Sequence, residues 1–110
     1  MNKVFKIEHR ENEEIDALKH TASILEKYPD AKIYVGCDSQ NKHRCSVYAT
    51  VIAYRFSYGD SGLRKAASYI YCREEAPKQK DKFTRLWGEV ERSVEVAKWL
   101  EENGYKALQS

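Results

Sequence analysis

Asp38 is the first residue whose position in the sequence indicates chemistry. It ends an apolar and β-branched run, residues 32–38, that has the composition of a buried strand. Burying an anion is costly, so a carboxylate at such a place is hydrogen-bonded, paired or bound to a metal ion. Two interpretations stay open. Asp38 is either a metal ligand or the start of a turn in which its carboxylate accepts hydrogen bonds from the amides of Ser39 and Gln40.

Glu89 is the second candidate carboxylate, and helical geometry selects it among the acids of the last predicted helix. The apolar stripe that we expect to be buried there contains Leu86, Val90, Val94 and Ala97. At about 100° per residue, Glu89 lies about 80° from the centre of this stripe, whereas Glu91 and Glu95 lie about 120° and 160° away. Glu89 therefore borders the predicted buried face. The alternative is an ordinary acidic residue in the first turns of a helix, where the helix dipole favours it.

Basic residues are concentrated in the middle of the chain. Residues 1–38 hold 6 basic and 8 acidic side chains, residues 39–85 hold 10 and 4, and residues 86–110 hold 3 and 5. Two predicted loops carry clusters that could contact the phosphates of a nucleic acid: Lys42, His43 and Arg44 in one, and Lys78, Lys80, Lys82 and Arg85 in the other. The alternative is a solvated surface without a partner.

The cysteines, Ser39 and His43 suggest two other kinds of site, a zinc site and the active site of a hydrolase. Cys37, Cys45 and Cys72 are odd in number, lack a C-x-x-C spacing and lie in apolar surroundings, which predicts reduced thiols. Together with His43 they could bind zinc, although the spacing matches no zinc pattern. A hydrolase with Ser39 or Cys37 as nucleophile and His43 as base would lack the glycines typical of an oxyanion hole.

Length and composition restrict the class of protein. With 110 residues, 42% of them apolar, and only 5 glycines and 2 prolines, the sequence predicts one folded domain over residues 1–110. No apolar run is long enough to span a membrane, and the first residues lack the apolar centre of a signal peptide. We therefore expect a cytoplasmic protein without membrane association.

Hydrophobic periodicity predicts the elements that position these residues. The expected order is a helix, three strands and a longer helix, at residues 13–28, 32–38, 45–56, 64–74 and 83–103. Short connections predict that the three strands form an antiparallel meander. The fold class is therefore α+β, with a tendency to three layers in which one helix covers each face of the sheet. Residues 105–110 are left outside any element.

Two motifs in this order resemble a known family. They are the strand end G-x-D-S-Q at residues 36–40 and the helix R-L-x-x-E-V-x-x-S-x-x-x-A-x-x-L at residues 85–100, with the strand of residues 47–55 between them. The chain resembles the bacterial YkuK-like family, which are ribonuclease H-like nucleases. The resemblance covers most of the chain. It implies an antiparallel three-stranded meander, then a helix, then a parallel fourth strand.

The resemblance also implies a chemistry. It suggests hydrolysis of phosphodiesters in RNA, DNA or a hybrid with Mg²⁺ or Mn²⁺, and it maps both the metal ligands and the catalytic residues onto Asp38 and Glu89. Carboxylate oxygens are the ligands that these ions prefer. The family takes a third carboxylate from a later strand, and residues 105–110 contain no Asp or Glu. We therefore expect a ribonuclease H-like fold that is truncated before its later strands.

Two hypotheses of function follow. The first is a metal-dependent nuclease domain in which the two basic loops contact phosphates; the short chain leaves open whether it is active. The second is a non-catalytic module that binds nucleic acid or protein and keeps only the fold of a nuclease. In the second case an exposed edge of the first strand could pair with another copy to form a homodimer.

Overall fold

A computed structural model describes residues 1–109 of the chain. The helices are α1 (Ala17–Lys27) and α2 (Lys82–Glu102). The strands are β1 (Lys32–Asn41), β2 (Cys45–Tyr58), β3 (Arg64–Pro77) and β4 (Ala107–Gln109), with a short 3₁₀ turn between β2 and β3. This order confirms the predicted α+β fold, with a helix, an antiparallel meander and a longer helix. Neither helix is both long and apolar enough to cross a lipid bilayer within the described residues.

The four strands form one mixed sheet in the order β3-β2-β1-β4. β2 pairs antiparallel with both β1 and β3, whereas β4 runs parallel to β1 and pairs with Ile33, Tyr34 and Val35. The sequence predicts no strand after α2, so β4 is a correction to the expected truncation. Its three residues are too short to show a strand period. Ser110, the last residue of the predicted tail, lies outside the described residues.

Residues of β2 alternate between the two faces of the sheet. Ser46, Tyr48, Thr50, Ile52 and Tyr54 are buried on what we call the helix face, and the residues between them are half-buried on the open face. The register aligns Val35 of β1 and Ile70 of β3 with Ile52, so the three strands build one apolar row. The core therefore lies on one side of the sheet.

Both helices pack on the helix face. α1 is joined to it by a hydrogen bond between the Thr21 and Tyr54 hydroxyls, 2.7 Å apart, and α2 contributes Val96, Ala97 and Leu100 to the same core. The sequence predicts one helix on each face, and this expectation is wrong. Periodicity identifies the apolar side of a helix but carries no information on which face of the sheet that side will cover.

α1 begins later than predicted because the chain before it pairs elsewhere. The amide of Ile15 donates to the carbonyl of Phe5, 2.8 Å away, which joins the two segments before the helix. Asp16 then caps the helix by accepting from the amides of Leu18 and Lys19. The predicted start at residue 13 is therefore moved to Ala17.

Candidate nucleic-acid interface

Asp81 fixes the point at which α2 begins. Its carboxylate accepts from the hydroxyl of Thr84 at 2.8 Å and from the amides of Phe83 and Thr84, both at 3.3 Å. The hydroxyl of Thr84 is the main reason why the pKa of Asp81 is lowered, and the amide of Phe83 adds to the effect. The helix therefore starts directly after the lysine-rich segment, and its first turns lie beside those lysines.

α2 presents a different side to the sheet from the one that periodicity predicts. Its buried residues are Gly88, Ser93, Val96, Ala97 and Leu100. Leu86 and Val90, both expected to be buried, have 43% and 47% of their surface exposed. The buried side instead has small residues where the helix crosses β2.

Tyr48 of β2 lies against this side of α2. Its ring is 2% exposed and lies against Gly88, where an added Cβ atom would be 2.7 Å from the phenol oxygen. The guanidinium of Arg92 covers the same ring, 3.7 Å from its centre. A side chain at residue 88 would therefore collide with Tyr48, and glycine allows this side of α2 to lie directly against β2.

The same orientation brings Glu89 against the sheet. Glu89 is half-buried, and its Oε2 atom accepts a hydrogen bond from the hydroxyl of Ser39 on β1. The residue selected from the helical wheel thus lies beside the end of the predicted first strand. Its partner, however, is a serine.

Asp38 points the other way. Neighbouring residues of a strand alternate between faces, so the contact of Ser39 with α2 places Asp38 on the open face. The Asp38 side chain is exposed and accepts from the amide of Ser39, with 3.0 Å between Oδ1 and the nitrogen. This is a local contact of the turn-like kind that the sequence left open. The structure therefore does not bring Asp38 and Glu89 together.

The side chains present do not fit a divalent cation shared by these two residues. Mg²⁺ requires several oxygen ligands in a near-octahedral arrangement. In residues 1–109 no group of three or more His, Cys, Asp or Glu side chains converges in a way that could hold a metal ion. Glu89 is engaged by Ser39, and Asp38 lies on the opposite face. A metal-binding role for the pair stays a prediction.

The two predicted basic loops meet at one end of the sheet. Lys78 Nζ donates to the carbonyl of His43 at 3.4 Å, Asn41 Nδ2 donates to the carbonyl of Gln79 at 3.1 Å, and the Gln79 amide donates to Ser46 Oγ at 3.0 Å. These contacts join the β1–β2 hairpin to the segment that leads into α2. We call the exposed residues gathered here the basic end: Lys42, His43, Arg44, Lys78, Lys80 and Lys82.

The charges of the basic end are not neutralised by neighbouring carboxylates. Within the described part of the chain, the ion pairs involve only Lys3, His9, Arg10 and Arg92 as cations. Asp81, the one acidic residue of the segment, is used to cap α2. Arg85 differs from the other predicted contacts because it is half-buried, and its Nε atom is buried without a hydrogen-bond partner.

An exposed apolar stripe, which the sequence analysis missed, runs from the basic end along α2. Phe83 and Trp87 are 75% and 57% exposed, and with Leu86 and Val90 they occupy one side of the helix at spacings of three and four. Periodicity predicts that Leu86 and Val90 are buried, because a helix usually buries its most apolar side. We call these four residues the exposed stripe.

The thiols do not form the alternative sites. Thr50 donates to Cys37 Sγ at 3.5 Å and lies opposite Cys72 in the sheet, whereas Cys45 belongs to the open face and His43 to the exposed hairpin. All three cysteines are free, as predicted. Burial raises the pKa of the Cys37 thiol, and the Glu89 carboxylate adds to the increase, which disfavours the nucleophilic thiolate.

The structure is that of a small α+β domain with a group of exposed basic side chains at one end of its sheet. The model of the Ribonuclease H-like family matches residues 15–110, which is most of the chain. The chain therefore belongs to the ribonuclease H-like family. Comparisons with curated proteins and with solved structures gave no match. The narrower resemblance to YkuK-like proteins stays a prediction.

Proposed function

We propose that this ribonuclease H-like domain binds nucleic acid through its basic end. The observation that carries the proposal is the contact between the β1–β2 hairpin and the segment before α2, which gathers cations from two distant parts of the sequence. Within residues 1–109 none of these side chains forms an ion pair with a carboxylate. Phosphates would supply the missing counter-charge, and release of their condensed cations would favour binding.

The distribution of charge along α2 also favours binding at the basic end. The acidic residues of α2 that follow Glu89 are exposed and lie progressively farther from the basic end: Glu91, Glu95, Glu101 and Glu102. The molecule is elongated, with extents of 50 × 27 × 26 Å, so opposite charge is separated along the helix that spans much of it. Along α2, a polyanion is therefore favoured beside the first turns of the helix over its acidic later half.

Fluorescence anisotropy with labelled 20-nucleotide RNA, DNA and hybrid strands tests this proposal. We expect the double variants K42Q/R44Q and K78Q/K80Q each to weaken binding about 10-fold at moderate salt, and to reduce the slope of log K against log salt by about 1 to 2. The matched control K19Q/K98Q removes two exposed cations far from the basic end and should bind like the wild type. Equal losses in all three variants, or no binding by the wild type, would contradict the proposal.

Membership of the ribonuclease H-like family favours phosphodiester hydrolysis as a second candidate function. Asp38 and Glu89 are the residues that the family resemblance selects for testing with Mg²⁺ or Mn²⁺, although they lie on opposite faces of the sheet in this structure. An active domain would cleave labelled RNA, DNA or a hybrid only with the ion present, and D38N and E89Q would abolish cleavage. Amide NMR shifts during a metal titration give an independent readout. If the amide signals of Asp38 and Glu89 did not shift at millimolar metal, the result would contradict this second candidate and favour nucleic-acid binding without catalysis.

A further inference from the structure

We propose that the exposed stripe is a base-stacking surface and that the ligand of the basic end is therefore single-stranded nucleic acid. This inference rests on the proposed function and adds the class of substrate. In the arrangement that we infer, phosphates contact the basic end while unpaired bases stack on Phe83 and Trp87 of α2.

The exposure of the two aromatic rings is the first observation. Phe83 and Trp87 are 75% and 57% exposed, and Leu86 and Val90 on the same side of the helix are 43% and 47% exposed. Soluble domains rarely leave a contiguous group of large apolar side chains in water unless the group binds something. The core residues of α2 are Val96, Ala97 and Leu100, which lie farther along the helix, and none of the four residues of the stripe packs against the core cluster.

The spacing of the rings fits consecutive bases. Phe83 and Trp87 are four residues apart, so they lie on one side of the helix about 6 Å apart along its axis. An extended single strand can place successive bases at comparable intervals, and aromatic side chains stack on any base because every base has a π face. In a duplex the faces of the bases are covered by their neighbours, so a duplex could not use these rings.

Charge distinguishes a nucleic acid from an apolar protein partner. The stripe begins at the residue after Lys82, and the other cations of the basic end lie beside the same end of α2 without carboxylate partners in the described chain. A single strand provides phosphates and base faces together, which matches both halves of this surface. An apolar protein surface would cover the stripe but would supply no counter-charge to the adjacent cations, so it would match only one half of this surface.

Binding titrations with F83A and W87A test the inference. The ligands are a 15-nucleotide single strand and a hairpin duplex of similar charge, and L63A is the matched control because Leu63 is 83% exposed on the loop between β2 and β3. We expect each aromatic variant to weaken single-strand binding about 5- to 150-fold, while W87F retains most of the affinity. The salt slope should stay unchanged because no charge is removed, and L63A should bind like the wild type.

Intrinsic fluorescence gives a second readout. Trp87 is exposed, whereas Trp99 is half-buried and stacked on Phe5 with 6.4 Å between the rings, so stacking of bases should quench Trp87 selectively. Quenching by the single strand that disappears in W87F supports the inference. Wild-type affinity of F83A and W87A for the single strand would overturn it and leave the proposed function in place, because that function is tested by the cation variants. A wild-type dimer in sedimentation that W87A dissociates would overturn it in favour of a second copy.

Discussion

Ser39 on β1 donates its hydroxyl hydrogen bond to Glu89 on α2, joining the first strand to the helix that follows the meander. The adjacent residue, Asp38, faces the opposite side of the sheet and is exposed. The carboxylate on the helix is therefore satisfied by a neutral donor next to the residue that was expected to share a metal ion with it. Because Ser39 contacts Glu89 and Asp38 faces the other side of the sheet, the end of β1 does not present two carboxylates to one ligand.

The hydrogen bond between Ser39 and Glu89 should contribute to stability. We expect S39A to lower the free energy of unfolding by about 1–2 kcal/mol, because it leaves a half-buried carboxylate without its side-chain donor. Urea denaturation measures the change. S57A is the control, since Ser57 is exposed near the end of β2, and S39T should restore most of the loss. A midpoint for S39A equal to that of the wild type would show that the bond contributes nothing.

The crossing of Gly88 and Tyr48 should not tolerate a methyl group. We expect G88A to destabilise the domain by about 1–3 kcal/mol, although alanine is the better helix former, because its Cβ would lie 2.7 Å from the buried phenol oxygen. Thermal and urea unfolding measure this change. In a Y48F background the nearest atom is removed, so G88A should cost less there. The same cost in both backgrounds would mean that Tyr48 is not what excludes the methyl group.

His20 should make stability depend on pH in the weakly acidic range. Burial lowers its pKa below the ordinary value of 6.5, Arg10 adds to the decrease, and the Nε2 atom is buried without a hydrogen-bond partner. The unfolded chain therefore binds the proton more readily. The contribution of His20 to stability is present above pH 6.5 and is lost as the pH falls through its lowered folded-state pKa.

Unfolding free energies measured from pH 8 to pH 5 check this expectation. The decline in stability should be shallower in H20Q than in the wild type. H43Q serves as the control because His43 is exposed in the hairpin, and its profile should follow that of the wild type. Parallel profiles for H20Q and the wild type would rule out this role of His20.

Cys37 should react slowly with thiol reagents. Burial raises its pKa and the carboxylate of Glu89 raises it further, so little thiolate is present at neutral pH. We expect modification of Cys37 by a disulfide reagent to be slower than that of a free thiol, and E89Q to increase its rate. Mass spectrometry of the modified peptides assigns each rate to a residue. If Cys37 were modified faster than Cys45 and Cys72, this prediction would be wrong, and the result would favour Cys37 as a nucleophile.

Local patterns in the sequence were sufficient to predict much of this fold. The alternation of β2, the helical period of α2 and the short connections identified the helix–meander–helix order because these signals lie within a few neighbouring residues. The expectation that Glu89 borders the buried side of α2 rests on a similarly local signal, and Glu89 is half-buried against β1. Even with the buried side of α2 misjudged, the geometry of a helix limited which acid could approach the sheet. The clusters of the basic end could likewise be read from composition.

Contacts between distant residues decided the rest. Gly88 packs against the buried ring of Tyr48 while Phe83, Leu86, Trp87 and Val90 are exposed, an orientation that periodicity within α2 does not reveal. Placement of both helices on one face, and pairing of β4 with β1, likewise depend on partners far away in the chain. The sequence by itself therefore determined the elements and their order, because those follow from local periodicity. The tertiary structure alone decided which faces meet, and so separated Asp38 from Glu89 and joined the two basic loops.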